Sequence, residues 1–266
     1  YNLNGGSISG QKTSYNVTTE SFTLPTPTRT GYTFTGWTGS NGSTPQKSVT
    51  IPKGSTGNKS YTANWSINSY YLDLNGYLDG ASSGNISGYG TVDVYVNGKL
   101  VADDVTDYCT QHPYGSTYEI KDIKATTGHV YNGVHSGSLS GTIGADRVNV
   151  SLSFSTKVLT ANFYRNAGTS DTTKVTQAFK YGQNGQAFNA NTWSRTGYTF
   201  KGWSTDKNAS SISWPDKCGV ADSWINSNYP SINIYAVWSL DNYSIGYNLN
   251  GGSISGQKTS YNVTTE

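Results

Sequence analysis

The 266-residue sequence contains no methionine and few charged residues. Charged side chains make up 13% of the chain, against about 25% in ordinary soluble domains. Because Met is missing, the sequence does not begin at its own start codon, and we expect it to be an excerpt of a longer protein. Aromatic residues make up 13% and the formal net charge is only +2, whereas disordered chains combine few aromatics with high net charge. The chain is therefore expected to fold.

Membrane segments and strongly basic runs are also missing from the sequence. There is no run of about 18 apolar residues, the length that a transmembrane helix requires, and no charged segment followed by an apolar one that would mark a signal peptide. The positive charge is spread thinly, without the basic runs that follow a phosphate backbone. We expect no membrane insertion within this segment and no nucleic-acid partner.

What the sequence does contain is repetition. Residues 1–20 recur without change as residues 247–266. An identity of that length does not arise by chance, and two parts of one globular domain have no reason to share it. We interpret the chain as one period of a tandem array followed by the start of the next copy. Arrays of self-contained modules determine length and valency, whereas catalysis needs only one copy of a site.

A second, weaker repeat lies inside the period. The segment Arg29–Trp37 (RTGYTFTGW) recurs as Arg195–Trp203 (RTGYTFKGW), with one difference in nine positions. Each segment is followed by a predicted strand that ends in Trp, at Trp65 and Trp238. The spacing predicts four parts: a first β module at 1–66, a middle β module at 67–157, a third module like the first at 158–239, and the start of the next copy at 240–266.

The repeated motif resembles a known family. Gly-Tyr-Thr-Phe-x-Gly-Trp, after a strand that closes in Asn-Gly-Gly and before one that ends in Ala-x-Trp or Ala-Val-Trp, resembles the Listeria–Bacteroides repeat, the B-repeat of internalin-type surface proteins. The resemblance covers residues 1–66 and 158–239, and it implies compact β-grasp-like modules of a bacterial surface protein. We predict that these motif residues are structural: Gly31, Tyr32, Phe34, Gly36, Trp37, Trp65, Gly197, Tyr198, Phe200, Gly202, Trp203 and Trp238.

Strand signals predict a mainly β fold of tandem small modules, two of them β-grasp-like around a middle module. In the middle module, Asn97-Gly98 between alternating runs is a strong hairpin signal. At least five predicted strands make that module either a β-sandwich or a β-grasp variant. In the first module, Phe34 and Trp37 fall on opposite parities of a strand, which predicts that they lie on opposite faces. No Gly/Pro/Ser-rich linker separates the modules, so we expect adjacent modules to be stiffly coupled.

The third module departs from the family pattern at one turn. It has Asn166-Ala167-Gly168 where the first module has Asn4-Gly5-Gly6. Glycine supplies positive φ at low cost, and alanine does not. We expect the substitution to alter this turn and to leave the fold unchanged.

Residues with reactive side chains do not form a recognisable catalytic or metal-binding pattern. Cys109 and Cys218 fit neither a metal-ligand pair nor a redox motif, so they either bridge two modules or are separate small hydrophobic residues. Cys109 lies close to His112, but a catalytic pair also needs a cleft and an oxyanion hole, and an ordinary loop is the simpler interpretation. Three aspartates, Asp103, Asp104 and Asp107, lack the regular spacing of a calcium loop and are interpreted as a solvated turn. We predict no enzyme activity, no cofactor and no metal.

The predicted function is structural. The chain is interpreted as part of an extracellular or cell-surface fibre, stalk or adhesin, in which it acts as a rigid spacer and contacts neighbouring copies of the same repeat. The alternative is an adhesive module that binds a glycan or host protein through exposed tyrosines such as Tyr108, Tyr114 and Tyr131, because Tyr offers a large contact area at low entropy cost.

Overall fold

A computed structural model describes residues 1–265. The chain is mainly β, with 48% of its residues in strands and 3% in helix, which confirms the predicted fold class. It divides into two units, one formed by residues 1–126 and 131–155 and the other by residues 127–130 and the chain from Thr156 onward. The described residues form three separate hydrophobic cores, and we name the parts of the chain around them the first, middle and third modules. Glu266, the last residue of the predicted next copy, lies outside the described residues.

The first module is built around the strand that carries the repeated motif. Its strands are β1 (Phe22–Thr23), β2 (Tyr32–Gly39), β3 (Gly42–Gln46), β4 (Thr50–Ile51) and β5 (Tyr61–Ile67). Strand β2 lies between β3 and β5 and is antiparallel to both, and β1 pairs with β4. Asn2 extends this sheet through a parallel bridge to Thr62. The buried core is formed by Leu24, Trp37, Val49, Ile51, Tyr61 and Ala63.

A β-bulge interrupts β2 between Phe34 and Gly36. Gly36 has a φ of +141°, and a side chain at this position would collide with the backbone of Gln46. The bulge brings the rings of Phe34 and Trp37 into edge-to-face contact, with centroids 5.4 Å apart. The prediction that these two residues lie on opposite faces is therefore wrong, because a bulge adds one residue to a strand and breaks its period of two.

The middle module consists of two sheets that share one core. Its strands are β6 (Ser69–Leu78), β7 (Ala81–Ser82), β8 (Gly90–Val96), β9 (Lys99–Val105), β10 (Tyr108–Pro113), β11 (Thr117–Ala125), β12 (His129–Ser136), β13 (Ser140–Thr142) and β14 (Val148–Thr156). One sheet has the order β10-β6-β14-β12 with β7 beside β6, and the other has the order β13-β11-β8-β9. Leu72, Leu74, Val150, Leu152 and Phe154 from the first sheet meet Val92, Val94, Tyr118 and Ile120 from the second. Of the two alternatives for this module, the structure has the sandwich.

The hairpin predicted at Asn97-Gly98 is confirmed. Asn97 and Gly98 join β8 to β9 with φ values of +51° and +74°. Positive φ at both central residues matches the twist of the flanking strands. The local sequence therefore favours this turn, and two hydrogen bonds of 2.9 Å between Asn97 and Thr117 also hold it.

The third module has a four-stranded mixed sheet and the short helix α1 (Asp222–Asn228). Its strands are β15 (Val158–Tyr164), β16 (Lys174–Lys180), β17 (Tyr198–Ser204) and β18 (Ser231–Leu240), in the order β16-β15-β18-β17. The central pair, β15 and β18, is parallel, and the outer pairs are antiparallel. Helix α1 contributes Ile225, which is fully buried, to the core. The β-grasp-like description of the first and third modules stays a prediction.

Two short strands follow the third module. They are β19 (Tyr243–Ser244) and β20 (Ser260–Tyr261), which pair in antiparallel fashion. Most of the surrounding residues are exposed. Among the described residues, no helix combines the length and apolarity needed to cross a bilayer.

The turn that follows the opening strand differs between the first and third modules. Asn4 and Gly5 have φ values of +48° and +83°, whereas Asn166 has +55° and Ala167 does not adopt a positive φ. In the third module Asp171 closes this turn instead, and its carboxylate accepts a hydrogen bond of 2.9 Å from the amide of Ala167. The altered turn expected from the Ala167 substitution is present in the structure.

Asp171 is also held by a two-point contact with Arg165. The guanidinium Nε and Nη2 donate hydrogen bonds of 2.9 and 3.1 Å to the two carboxylate oxygens. The hydrogen bonds from Arg165 hold the pKa of Asp171 well below its usual range, because they favour the charged form of the carboxyl group. The ion pair thereby links the stability of the third module to pH.

Replacement of Asp171 by Asn is expected to destabilise the third module by about 1.5 to 3 kcal/mol near neutral pH, the usual contribution of charged hydrogen bonds. Because the folded pKa of Asp171 is depressed, its contribution is complete above about pH 4, the ordinary pKa of Asp, and is lost as the pH falls toward the folded value. Denaturant unfolding of parent and Asp171→Asn chains across this range measures the effect. An undiminished difference at about pH 2 would contradict it.

Candidate functional site

The motif tryptophans of the first and third modules lie in matching aromatic clusters. Trp37 is fully buried and contacts Phe34 and Tyr1, with ring centroids 5.4 and 5.6 Å apart. In the third module Trp203 is 2% exposed and contacts Phe200 and Phe163 at 5.0 and 4.9 Å. All four contacts are edge-to-face, an arrangement that aromatic pairs favour. Neither Trp37 nor Trp203 offers a ring face on which a sugar could stack.

The second pair of motif tryptophans, Trp65 and Trp238, forms hydrogen bonds to the opening segment of each module. The Trp65 indole Nε1 donates a hydrogen bond of 3.0 Å to the carbonyl of Leu3, and the Trp238 Nε1 donates one of 2.7 Å to the carbonyl of Arg165. These contacts place Leu3 and Arg165 at equivalent positions. The motif residues are thus positioned for a structural role in both modules, and that role stays a prediction until stability is measured.

A group of contacts joins the first module to the middle module. Asn68 is the single residue between β5 and β6. Its backbone amide donates a hydrogen bond of 2.9 Å to the carbonyl of Gly31. The Thr33 hydroxyl donates to the Asn68 side-chain oxygen at 2.6 Å. On the other side, the carbonyl of Asn68 accepts a hydrogen bond of 2.9 Å from the amide of Tyr114, a residue of the middle module. We name Gly31, Thr33, Asn68 and Tyr114 the first joint.

Packing reinforces the hydrogen bonds of the first joint. Gly31 has a φ of +78°, and a side chain there would overlap the Tyr114 ring. The Tyr32 ring meets the Tyr114 ring edge-to-face at 6.1 Å, and the Arg29 guanidinium lies 3.6 Å from the centre of the Tyr32 ring. Glycine is needed at position 31 both for the positive φ and for the close approach of the Tyr114 ring.

Two of the three hydrogen bonds of the first joint recur where the third module meets the repeated segment. The backbone amide of Asp241 donates to the carbonyl of Gly197 at 2.9 Å, and the Thr199 hydroxyl donates to the Asp241 carboxylate at 2.6 Å. Gly197 has a φ of +75°, and a side chain there would overlap Val263. We name Gly197, Thr199, Asp241 and Val263 the second joint. Here too an arginine stacks on the motif tyrosine, with the Arg195 guanidinium 3.6 Å from the centre of the Tyr198 ring.

The cysteine and the histidine that are close in sequence do not form a catalytic pair in the structure. They lie on strand β10 and not in a loop, so the loop interpretation is wrong. The His112 Nε2 is 2.8 Å from the Tyr108 hydroxyl, and burial lowers the pKa of His112. Burial, followed by the charge of Asp73, raises the pKa of the Cys109 thiol, whereas a nucleophilic cysteine needs a lowered pKa.

Other sequence candidates are placed as follows. Cys109 and Cys218 are free thiols, and the bridge between them stays a prediction. Asp104 forms an ion pair of 2.8 Å with Lys124, and within residues 1–265 no group of three or more His, Cys, Asp or Glu side chains is arranged to hold a metal ion.

The three tyrosines proposed as an exposed contact surface are half-buried. Tyr114 belongs to the first joint, and Tyr108 and Tyr131 pack against the core of the middle module. The sequence does not show this, because the order of the strands in the sheet decides which faces of β10 and β12 are covered, and strand signals do not give that order. These tyrosines are therefore less exposed than the adhesive alternative assumes, and their role in ligand contact stays a prediction.

Comparison with known families agrees with the repeated geometry. Residues 1–66 and 160–222 match the Listeria-Bacteroides repeat domain. The resemblance inferred from the motif is thereby confirmed for these two segments. This repeat domain is found in bacterial surface proteins and is a non-catalytic structural family. Among curated proteins, no significant match to the chain was found.

Proposed function

We propose that the chain is a stiff spacer segment of an extracellular or cell-surface bacterial protein, in which tandem copies extend or present other parts. The observation that supports this most strongly is the recurrence of one joint at two module boundaries. In both joints a backbone amide of the following residue binds the carbonyl of the motif glycine, at 2.9 Å in each case. A tandem array keeps a defined length only if the same joint fixes each module to the next. A single catalytic or binding site does not require such a repeated joint.

The short connections support the same proposal. Strand β5 ends at Ile67 and β6 begins at Ser69, so the one connecting residue is held by the hydrogen bonds of the first joint. Strand β18 ends at Leu240 and β19 begins at Tyr243, and Asp241 is held in the same way. A flexible Gly/Ser linker would let modules reorient freely, whereas these connections leave few unrestrained torsions.

Proteins with one, two and three tandem copies of the period are expected to increase in maximum dimension nearly in proportion to copy number, because each joint restrains the next module. Small-angle X-ray scattering in dilute solution measures this. If the dimension grows with the square root of length, as expected for freely jointed units, the spacer proposal is wrong.

Adhesion to a glycan or host protein is a second candidate function. The observation in its favour is that Tyr71 and Tyr229 remain exposed, at 37% and 39%. A cation lies over each ring, Arg147 at 4.8 Å and Lys157 at 5.4 Å from the ring centre, so a ligand would meet the parts of the rings that these cations leave open. A glycan array probed with one purified copy of the period tests this candidate. Binding that is lost in Tyr71→Ala or Tyr229→Ala chains of unchanged stability would support it.

A further inference from the structure

A groove of about 680 Å³ lies in the first module beside Tyr1. Its walls are the segments 12–17 and 55–59, and Phe22, Ile51 and Tyr61 belong to its apolar lining. Within the described residues, the backbone groups of Thr13, Ser14 and Tyr15 make no backbone hydrogen bond. Segment 13–15 therefore presents the unpaired edge that a strand of another segment can join.

The third module shows what occupies the equivalent place there. Leu3 and Arg165 are equivalent, and the bridge of Asn2 to Thr62 corresponds to the pairing of Tyr164 with Tyr235. The third module has five further residues of this strand, Val158–Asn162, before the equivalent of Tyr1.

In those five residues, Leu159 and Ala161 are fully buried. Strand β15 lies between two partners, and Leu159 is paired with Phe179 of β16. The opening strand of the third module thus lies inside the sheet, and every second side chain of its first residues is buried in the core.

The repeated segment after the third module has the sequence of the first module, and it shows the same strand pairing. Tyr243 and Ser244 pair with Tyr261 and Ser260, which repeat Tyr15 and Ser14 of the groove wall. Tyr243 lies four residues before Tyr247, the repeat of Tyr1, and Leu159 lies four residues before Phe163, the equivalent of Tyr1. Tyr243 with its partner Tyr261 therefore takes the place of Leu159 with its partner Phe179. The amide of Ile245 also donates a hydrogen bond of 2.9 Å to the carbonyl of Thr259, which repeats Thr13.

The direction of the chain in the first module also places an added strand in this groove. Because Asn2 is parallel to Thr62, a strand that leads into Tyr1 runs beside residues 59 and 60, and Lys59 lines the groove. Side chains at alternate positions of a strand share one face, so Tyr243 and Ile245 of such a strand would enter the apolar groove together.

We propose that the groove of the first module is the docking site for the segment Asn242–Gly246 of an adjacent copy of this repeat, which adds as a strand along Thr13–Tyr15. Each copy would then complete the first module of the next. This inference rests on the proposed tandem array, since it takes a neighbouring copy as the partner.

The test compares the full chain with an extended chain in which residues 240–246 also precede Tyr1. Hydrogen exchange at the amides of segment 13–15 is expected to slow by about tenfold or more, because these groups become part of a sheet. Tyr243→Ser with Ile245→Ser in the extension should abolish the protection. Ser244→Ala, at a position that faces away from the groove, should retain it.

A free peptide of residues 240–246, added to the unextended chain, shows whether a separate copy can supply the strand. Saturable protection of segment 13–15 by the peptide would support docking between chains, and protection in the extended chain alone would assign the strand to a covalently linked copy. Unchanged exchange in both arms overturns the proposal. Scattering remains an independent readout, so linear growth with unchanged exchange would reject the groove inference alone.

Discussion

Replacement of Trp37 or Trp203 by Ala is expected to destabilise its own module by about 3 to 5 kcal/mol, the usual cost of emptying a large aromatic site. Trp37 is fully buried and Trp203 is 2% exposed, so the cavity left behind would be closed off from solvent. Trp37 also contacts two aromatic neighbours edge-to-face, and Trp203 contacts three. Denaturant unfolding, followed by hydrogen exchange in each module separately, measures the loss and shows that it is confined to the altered module.

Trp37→Phe and Trp203→Phe are the matched controls. The indole Nε1 atoms of Trp37 and Trp203 are buried and have no hydrogen-bond partner among the described residues, so Phe removes an unpaired donor while it keeps an aromatic ring. The cost of the Phe variants should therefore be clearly smaller than that of the Ala variants. An Ala variant that unfolds like the parent but loses glycan binding would show that these residues serve ligand contact and not the core.

Features with a local cause were predictable from sequence. The Asn97-Gly98 hairpin follows from two residues that tolerate positive φ, and β15 follows from a β-branched and aromatic run. The repeated motif could be assigned to a family because its glycines and aromatics occur at fixed spacing. In each case the information lies within a few neighbouring residues.

Features that depend on distant partners were not predictable. The bulge at Gly36 was missed because glycine in a strand can also mean an ordinary flexible position, and only the partner strand β3 shows the close approach. The joints are of this kind, because the sequence predicts a structural role for Gly31 and Tyr32 but does not show that they also contact the next module. One available signal was that the Arg-Thr-Gly-Tyr-Thr half of the motif is identical in both copies, whereas the single difference, Thr35 against Lys201, falls outside it.

The role of the joint glycines leads to the second large effect. Gly31→Ala is expected to cost about 1 to 2 kcal/mol for a side chain at positive φ, and about 1 to 3 kcal/mol more because the new methyl group overlaps the Tyr114 ring. The second term arises only if the ring is held against Gly31 in solution. It should also loosen the joint, because a displaced Tyr114 ring gives up its edge-to-face contacts with Tyr32 and Tyr70.

Gly10→Ala separates the two terms. Gly10 has a φ of +73° but no atom near the position of an added side chain, so this variant should show the backbone cost alone. For the second joint the matched pair is Gly197, with a φ of +75° and Val263 in contact, and Gly185, with a φ of +74° and open space. Free energies of unfolding and scattering of tandem copies measure both effects. Equal costs within each pair, with linear growth of the maximum dimension retained in every variant, would show that the joint glycines serve only their own turns and do not couple the modules.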